Sequence, residues 1–124
     1  MPKTSSSKPR VFGNVEKFVE PCILFLLSKN SSHGYGLLDD LERHCGHKID
    51  VGNLYRTLRK MEKNKWITSG WQKNKIGPNK RTYKITTNGV VILHKAASTL
   101  KTTHSLLSRF LNGYNKIYGK GVST

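Results

Sequence analysis

Residues 50–86, DVGNLYRTLRKMEKNKWITSGWQKNKIGPNKRTYKIT, decide the fold of this chain. Apolar residues spaced three or four apart predict a helix over residues 51–64. Two strands, over residues 66–73 and 81–86, are predicted from their β-branched and aromatic residues, and the Gly, Pro and Asn of residues 74–80 predict the turn between them. A helix with a cationic outer face followed by a cationic hairpin is suited to binding duplex DNA in two adjacent grooves.

The predicted helix has one apolar side and one cationic side. At about 100° per residue, the positions that point into the core are Val51, Leu54, Leu58 and Met61. The residues on the opposite side and its borders are Gly52, Asn53, Tyr55, Arg56, Thr57, Arg59, Lys60 and Lys63. Arg, Lys, Asn and Thr on one helix face hold phosphates and read base edges, so we interpret this helix as a DNA recognition helix.

The predicted hairpin turn is also basic. It presents Lys75, Lys80 and Arg81 around the turn-forming sequence Gly-Pro-Asn at residues 77–79. An exposed cationic hairpin beside a recognition helix is typical of a wing, which lies on the sugar-phosphate backbone or enters a minor groove. We therefore predict that these three cations contact DNA.

Two more helices are predicted before this stretch. The first covers residues 15–28, and Pro21 makes it either kinked or regular only from near Glu20, with the proline in its first turn. The second covers residues 33–45. Three helices followed by a two-stranded wing is the order of a winged helix-turn-helix, so we predict a mainly α fold with a small β-hairpin and a DNA-binding domain over residues 14–87.

Small polar residues and a glycine mark the helix ends. Ser32 is the predicted N-cap of the second helix, and Gly46 is predicted to end it. Asp50 is the predicted N-cap of the recognition helix, where its charge also suits the positive end of the helix dipole. Residues 1–13, rich in Ser, Lys and Pro, predict a disordered basic arm.

A long last helix is predicted to begin at Thr87 or Asn88. We assign it residues 88–116 and assign residues 117–124 to a flexible tail. The apolar stripe of so long a helix needs a cover, and a second copy of the chain supplies one in a two-fold dimer. The predicted dimerisation residues are Val15, Phe18, Val19, Leu93, Ala97, Leu100, Leu107 and Leu111.

The charge of the chain is strongly one-sided. Its 124 residues include 22 Lys and Arg against 7 Asp and Glu, a net charge of +15, and the last acidic residue is Glu62. Such a chain repels itself without a polyanion, so nucleic acid is the expected partner. An anionic membrane is the weaker alternative, because no long amphipathic basic helix with an aromatic face stands out.

Nothing in the sequence predicts export, a membrane span or a disulfide framework. Residues 1–10 lack the apolar region of a signal peptide, and the longest apolar run, residues 22–27, is too short to cross a bilayer. Cys22 and Cys45 are interpreted as reduced core residues. We therefore expect a cytoplasmic protein.

The chain carries one compact group of metal-ligand types, His44, Cys45 and His47, with His33 nearby in sequence. Its spacing does not match the usual zinc patterns, and its surroundings look like a helix C-terminus, so we predict no metal site. Clustered carboxylates, catalytic triads, a phosphate-binding loop and a dinucleotide fingerprint have no recognisable signature. The expectation is a protein that is not an enzyme and holds no cofactor.

Three ordered motifs resemble the PadR-like family of transcriptional regulators. They are ILFLLSKNSSHGYGLLDDLE at residues 23–42, VGNLYRTLRKMEKNKWI at residues 51–67 and GPNKRTYKITTNG at residues 77–89, and HGY and GxLY are their most diagnostic parts. This family consists of small winged-helix proteins that generally bind operator DNA as dimers. The resemblance implies that Tyr35 and Tyr55 lie near DNA together with the basic residues of the helix and wing.

Two departures from the family pattern bear on function. Arg56 stands where the family often has proline, and it adds a groove contact. The single C-terminal helix resembles the small-subfamily architecture and leaves little separate ligand-binding domain. An effector pocket would therefore lie at the dimer interface, between the first and last helices.

We predict a sequence-specific DNA-binding transcriptional regulator, a repressor, that acts as a homodimer on a pseudo-palindromic operator, with any small-molecule effector unidentified. One alternative is a non-specific architectural or chromatin-type DNA binder of the same fold, since phosphate contacts alone bind tightly at low salt. The other is a winged-helix protein-interaction module. That class predicts an apolar or mixed recognition face, which Arg56, Arg59 and Lys60 argue against.

Overall fold

The computed structural model describes residues 18–46, 48–72, 77 and 80–119. Within these residues, four helices and three short strands follow one another. In chain order they are α1 (Val19–Lys29), β1 (Ser32–His33), α2 (Gly34–Cys45), α3 (Val51–Lys63), β2 (Ile67–Gln72), β3 (Lys80–Ile85) and α4 (Thr87–Tyr118). The predicted class, mainly helical with a small antiparallel hairpin and a long last helix, is confirmed.

The core lies among α1, α2 and α3, and the sheet contributes to it. Leu54, Leu58 and Met61 of α3 are fully buried, as predicted. The other fully buried side chains are Ile23, Leu24, Leu37, Leu41 and Ile67. Val51 was predicted to join them but is 39% exposed, because it is the first residue of α3 and lies outside the core cluster.

The sheet has three antiparallel strands in the order β1-β3-β2, whereas the sequence predicted only the two strands of the hairpin. Ser32 and His33 of β1 pair with Tyr83 and Thr82 of β3. The prediction that Ser32 caps α2 is wrong: its hydroxyl donates to the His33 carbonyl, and His33 occupies the cap position without a side-chain hydrogen bond. Pairing with β3 holds this backbone extended and overrides the local capping preference of serine.

The N-terminal helix begins with a proline in its first turn. α1 starts at Val19 and contains Pro21 two residues later, which agrees with the second interpretation of this proline. Residues 15–17 of the predicted helix lie outside the described residues. In the same helix, burial raises the pKa of the Cys22 thiol to about 12, and a hydrogen bond with Cys45 adds to the effect. The Cys22 thiol is therefore protonated at neutral pH, as expected of a reduced core cysteine.

Two other helix ends lie where the sequence placed them. Gly46 follows α2 in the left-handed conformation, with φ of 72°, which a residue with a side chain rarely adopts. The Asp50 carboxylate accepts a 2.7 Å hydrogen bond from the backbone N–H of Asn53. Asp50 is therefore the N-cap of α3, and it fixes the first turn of the helix.

The first turn of α4 is locked onto the turn between α3 and β2. Thr86 is the N-cap, and its hydroxyl oxygen accepts from the Gly89 N–H at 2.9 Å. The same hydroxyl lies within donating distance of the carbonyl oxygens of Lys65 (2.7 Å) and Trp66 (2.9 Å). The Thr86 N–H also donates to the Trp66 carbonyl, at 3.0 Å. We call this set of contacts the α4 junction.

Beyond the junction, α4 extends over 32 residues to Tyr118, two residues into the segment predicted as a tail. Its first turns pack against α1, and Ile92 and Leu93 cover the core there. Its second half is exposed, with no described element over it. In the described ranges, no helix combines the length and the apolar composition that a bilayer crossing requires.

Candidate nucleic-acid interface

α3 turns its cationic side to solvent, as its periodicity predicted. Tyr55 and Thr57, on the borders of that side, are half-buried. The exposed residues are Gly52, Asn53, Arg56, Arg59, Lys60 and Lys63. The cationic face is thus held outward by a fully buried apolar face on the same helix.

Side chains at the start of α3 are ordered by a chain of hydrogen bonds. Asp50 accepts from the side-chain amide of Asn53 at 2.8 Å, in addition to the capping bond. The amide oxygen of Asn53 in turn accepts from the Arg56 guanidinium. This bond holds the Arg56 guanidinium in place. Because a guanidinium has five N–H donors, Arg56 still has donors left for a base edge or a phosphate.

Tyrosines of two helices meet the basic hairpin in one groove. Tyr35 and Tyr55 line it together with Lys80 and Arg81, and its volume is about 510 Å³. Trp71 of β2 also lines the groove and is 66% exposed. The sequence analysis did not single out Trp71, although an aromatic residue in a strand of a basic hairpin was a usable signal.

Two of the predicted DNA-contacting cations are paired with carboxylates. Lys60 Nζ lies 3.0 Å from Glu20 Oε2, and Arg81 Nη2 lies 3.7 Å from Glu62 Oε1. Other predicted cations have no carboxylate of the described residues within ion-pair distance: Arg56, Arg59, Lys63 and Lys80. Lys75 lies outside the described part of the chain. The structure therefore separates predicted cations that are open to a ligand from predicted cations that already face a carboxylate.

Tyr55 packs directly on the start of α2. A methyl group placed on Gly34 would lie 2.2 Å from the Tyr55 hydroxyl oxygen and 2.6 Å from its Cζ atom. Nonbonded atoms do not approach this closely. The absence of a side chain at Gly34 is therefore what lets the Tyr55 ring lie between α2 and α3.

We expect Gly34→Ala to displace the Tyr55 ring and to lower the free energy of unfolding by about 1–2 kcal/mol, because an aromatic ring can swing but not compress. Gly70→Ala is the matched control, since a methyl group there meets open space. Urea unfolding followed by tryptophan fluorescence measures both. Equal midpoints for the two variants would contradict this account of Tyr55.

The predicted dimerisation residues fall into two groups. Val19 is buried in the core of its own chain, and Leu93 is half-buried against it. The exposed members are Phe18, Ala97, Leu100, Leu107 and Leu111. Val15 lies outside the described residues. Further exposed apolar side chains on the second half of α4 are Leu106, Phe110, Tyr114, Ile117 and Tyr118.

The residues considered as metal ligands do not come together in the described part of the chain. His44 is exposed and Cys45 is half-buried near the end of α2, while His47 lies outside the described residues. Among the residues that are described, no three His, Cys, Asp or Glu side chains lie close enough to hold one metal ion.

Solved structures share the fold of this chain. A PadR-like transcriptional regulator from Bacillus cereus is 26% identical, with a TM-score of 0.71 over 78% of this chain and 94% of that one. A transcriptional regulator from Clostridium thermocellum is 22% identical, with a TM-score of 0.71 over 81% of this chain and 98% of that one. PadR of Bacillus subtilis, in complex with operator DNA, is 23% identical, with a TM-score of 0.60 over 65% of this chain and 46% of that one.

The family match covers both α3 and the hairpin of β2 and β3. Comparison with curated proteins gave no match. The model of the transcriptional regulator PadR-like family matches residues 23–95, which include α2, α3, the hairpin and the start of α4. The resemblance seen in the three motifs is thereby confirmed over more than half of the sequence. The chain belongs to the PadR-like family of transcriptional regulators.

Proposed function

We propose that this regulator binds double-stranded DNA in a sequence-specific manner, with α3 in the major groove. The hairpin of β2 and β3, which we call the wing, lies on the backbone or in the minor groove. The observation that carries the proposal is that the exposed cations of α3 share a helix with Tyr55, which lines one groove together with Tyr35 and the exposed Lys80. Family membership supports it, as does the operator complex of the Bacillus subtilis relative.

The geometry of α3 suggests separate roles for its cations. Arg56 is oriented by Asn53 near the N-terminal end of α3, and a guanidinium donates two parallel hydrogen bonds to guanine. Arg59 and Lys63 follow one and two turns later and are exposed. They suit phosphates, which fix the register of the protein on the duplex without reading its sequence. Arg56 is therefore the residue to which we assign base reading.

Arg56→Ala is expected to weaken binding to the preferred operator by about 1–3 kcal/mol and to relax discrimination at one base pair. Lys63→Ala is the matched control, because losing a phosphate contact weakens all duplexes alike. Fluorescence anisotropy with the operator and its single base-pair variants distinguishes the two. An equal loss on operator and random DNA after Arg56→Ala would make Arg56 a phosphate contact.

The same proposal includes a two-fold homodimer held together by α4. Leu100, Leu107 and Tyr114 are exposed and recur every seven residues, which is the spacing of a helix that packs on a second helix. A second copy presents its recognition helix to a second half-site, about 34 Å away, and so requires a pseudo-palindromic operator. We propose that such a dimer, where its operator overlaps a promoter, represses transcription.

A groove between α1, the end of α2 and α4 is the place we assign to any small-molecule effector. Its volume is about 390 Å³, and its walls include Phe18, Phe25, Leu93 and Leu100. Phe18 and Leu100 are also predicted dimerisation residues, so a second copy would close the groove. Apolar and aromatic walls of this kind favour an apolar, planar ligand.

The test is fluorescence anisotropy of the protein with the DNA upstream of its own gene and with a scrambled duplex, over a series of salt concentrations. A preference of roughly a thousandfold or more at physiological salt supports a regulator that reads sequence. Equal binding to both duplexes, lost together as salt rises, would support the architectural alternative. Binding to neither would favour the protein-interaction module.

A further inference from the structure

Glu62 is the last acidic residue of the sequence and lies near the end of α3, where α3 meets the wing. Its Oε2 atom accepts a 2.7 Å hydrogen bond from the Ser69 hydroxyl of β2. Arg81 Nε–H donates to the same Ser69 oxygen at 3.0 Å, and Arg81 Nη2 lies 3.7 Å from Glu62 Oε1. The three side chains form a closed set of contacts between α3, β2 and β3.

The register of the wing explains why Arg81 reaches Glu62. Successive residues of a strand point to opposite faces, so Arg81 shares its face with Tyr83 and Ile85. Tyr83 is buried and Ile85 packs on the core, so this face is the one that covers the protein interior. The residue opposite Arg81 on β2 is Trp71, and the guanidinium lies 5.6 Å from its ring centre. Arg81 therefore has a hydroxyl, a carboxylate and an aromatic ring as internal partners.

Lys80 is the natural comparison, because it is the neighbour of Arg81 in β3. It lies on the other face of the strand, is exposed, and meets no carboxylate within the described ranges. The Arg81–Glu62 pair is itself partly open, with 43% and 33% of the two side chains exposed. An ion pair this accessible to water is weak by itself, so the position of the guanidinium also depends on its hydrogen bond to Ser69.

Any cation that is free to contact phosphate increases binding to every duplex, whatever its sequence. We infer that Glu62 is a specificity-determining residue of the interface: by holding Arg81 on the inner face of the wing, it withholds one cation from sequence-independent phosphate contact. Glu62 acts through Arg81 and touches no base itself. The inference rests on the proposed function, since it concerns how the same surface separates operator from random DNA.

The test compares Glu62→Gln with Glu42→Gln on a random-sequence duplex, by anisotropy over a salt series. Both substitutions remove one negative charge. Glu42 is exposed near the end of α2, and its side chain has no hydrogen bond or ion pair with any described residue. One added phosphate contact steepens the plot of log K against log salt by about 0.9. For each tenfold fall in salt concentration, the affinity of Glu62→Gln for the random duplex should therefore rise about eightfold more than that of wild type. The Glu42→Gln plot should be parallel to that of wild type.

Two further variants make the assignment specific. In an Arg81→Gln background, Glu62→Gln should no longer steepen the salt dependence, because the cation it releases is gone. Ser69→Ala removes the bridging hydroxyl without changing the net charge, and it should steepen the slope in the same direction as Glu62→Gln. Circular dichroism checks that each variant is folded. If Glu62→Gln does not fold, the salt dependence of Ser69→Ala is the test instead.

Parallel plots for Glu62→Gln and Glu42→Gln would overturn the inference. So would a steepening by Glu62→Gln that persists without Arg81, because Glu62 would then act by repelling phosphate directly. If Ser69→Ala has to carry the test, a slope equal to that of wild type overturns the inference. Failure of the proposed function has a different signature: wild type would show no preference for its own upstream DNA, whatever the slopes on the random duplex.

Discussion

Gly89→Ala is expected to destabilise the fold by about 3 kcal/mol, at the upper end of the usual range for overpacking. A methyl group at this position would lie 2.0 Å from the Trp66 carbonyl oxygen and 2.8 Å from Cγ1 of Ile85. The Trp66 carbonyl cannot move aside, because it accepts from the Thr86 N–H at 3.0 Å and lies 2.9 Å from the Thr86 hydroxyl. α4 must therefore move away, which breaks the α4 junction.

Helix propensity predicts the opposite sign for Gly89→Ala, so the experiment separates the two effects. Alanine is the better helix former, and by propensity alone it should stabilise a helix by about 1 kcal/mol relative to glycine. Gly113→Ala, in the same helix but in open space, should show that gain and is the matched control. Denaturant unfolding followed by circular dichroism measures both. A Gly89→Ala protein as stable as Gly113→Ala would show that the α4 junction accommodates the added methyl group.

Leu107→Asp is expected to separate the proposed dimer into folded monomers. Leu107 is 55% exposed in the single chain, so the substitution leaves the monomer core unchanged. In a two-fold dimer it buries two like charges in the α4 seam. An uncompensated buried charge costs about 3–5 kcal/mol, which corresponds to roughly a hundredfold or greater loss of dimer affinity.

The control for Leu107→Asp is Ser105→Asp, which places the same charge on an exposed position two residues earlier, on nearly the opposite side of α4. Sedimentation velocity over a concentration series measures the assembly state of both variants. The Leu107→Asp protein should sediment as a monomer and lose most of its affinity for a full operator, while Ser105→Asp behaves like wild type. A Leu107→Asp protein that sediments with wild type would remove this stripe from the interface.

Local patterns in the sequence were enough to predict α3 and the hairpin of β2 and β3. The spacing of Leu54, Leu58 and Met61 fixed the buried face of α3, and the cationic face followed from it. Asp50 was identifiable as the cap because capping depends on residues only three apart. These features involve neighbours in the chain, so periodicity and residue type suffice to predict them.

Contacts between distant residues escaped the sequence analysis. The two-residue strand β1 carries no propensity signal of its own and forms only because β3 offers it a partner. Lys60 was assigned to DNA without knowledge that Glu20, 40 residues away, pairs with it. The pairing of Arg81 was partly accessible, since alternation along β3 puts it on the same face as the buried Tyr83.

The pairing of β1 with β3 also has a consequence for how the protein folds. His33 and Thr82 are 49 residues apart, so β1 has no partner until translation has passed through β3. At a synthesis rate of about 5–20 residues per second, that interval is roughly 2–10 seconds. The helices have local contacts and form early, whereas closing the sheet is the slow, long-range step. The start of α2 and the hairpin of β2 and β3 are therefore joined late, after α3 has formed.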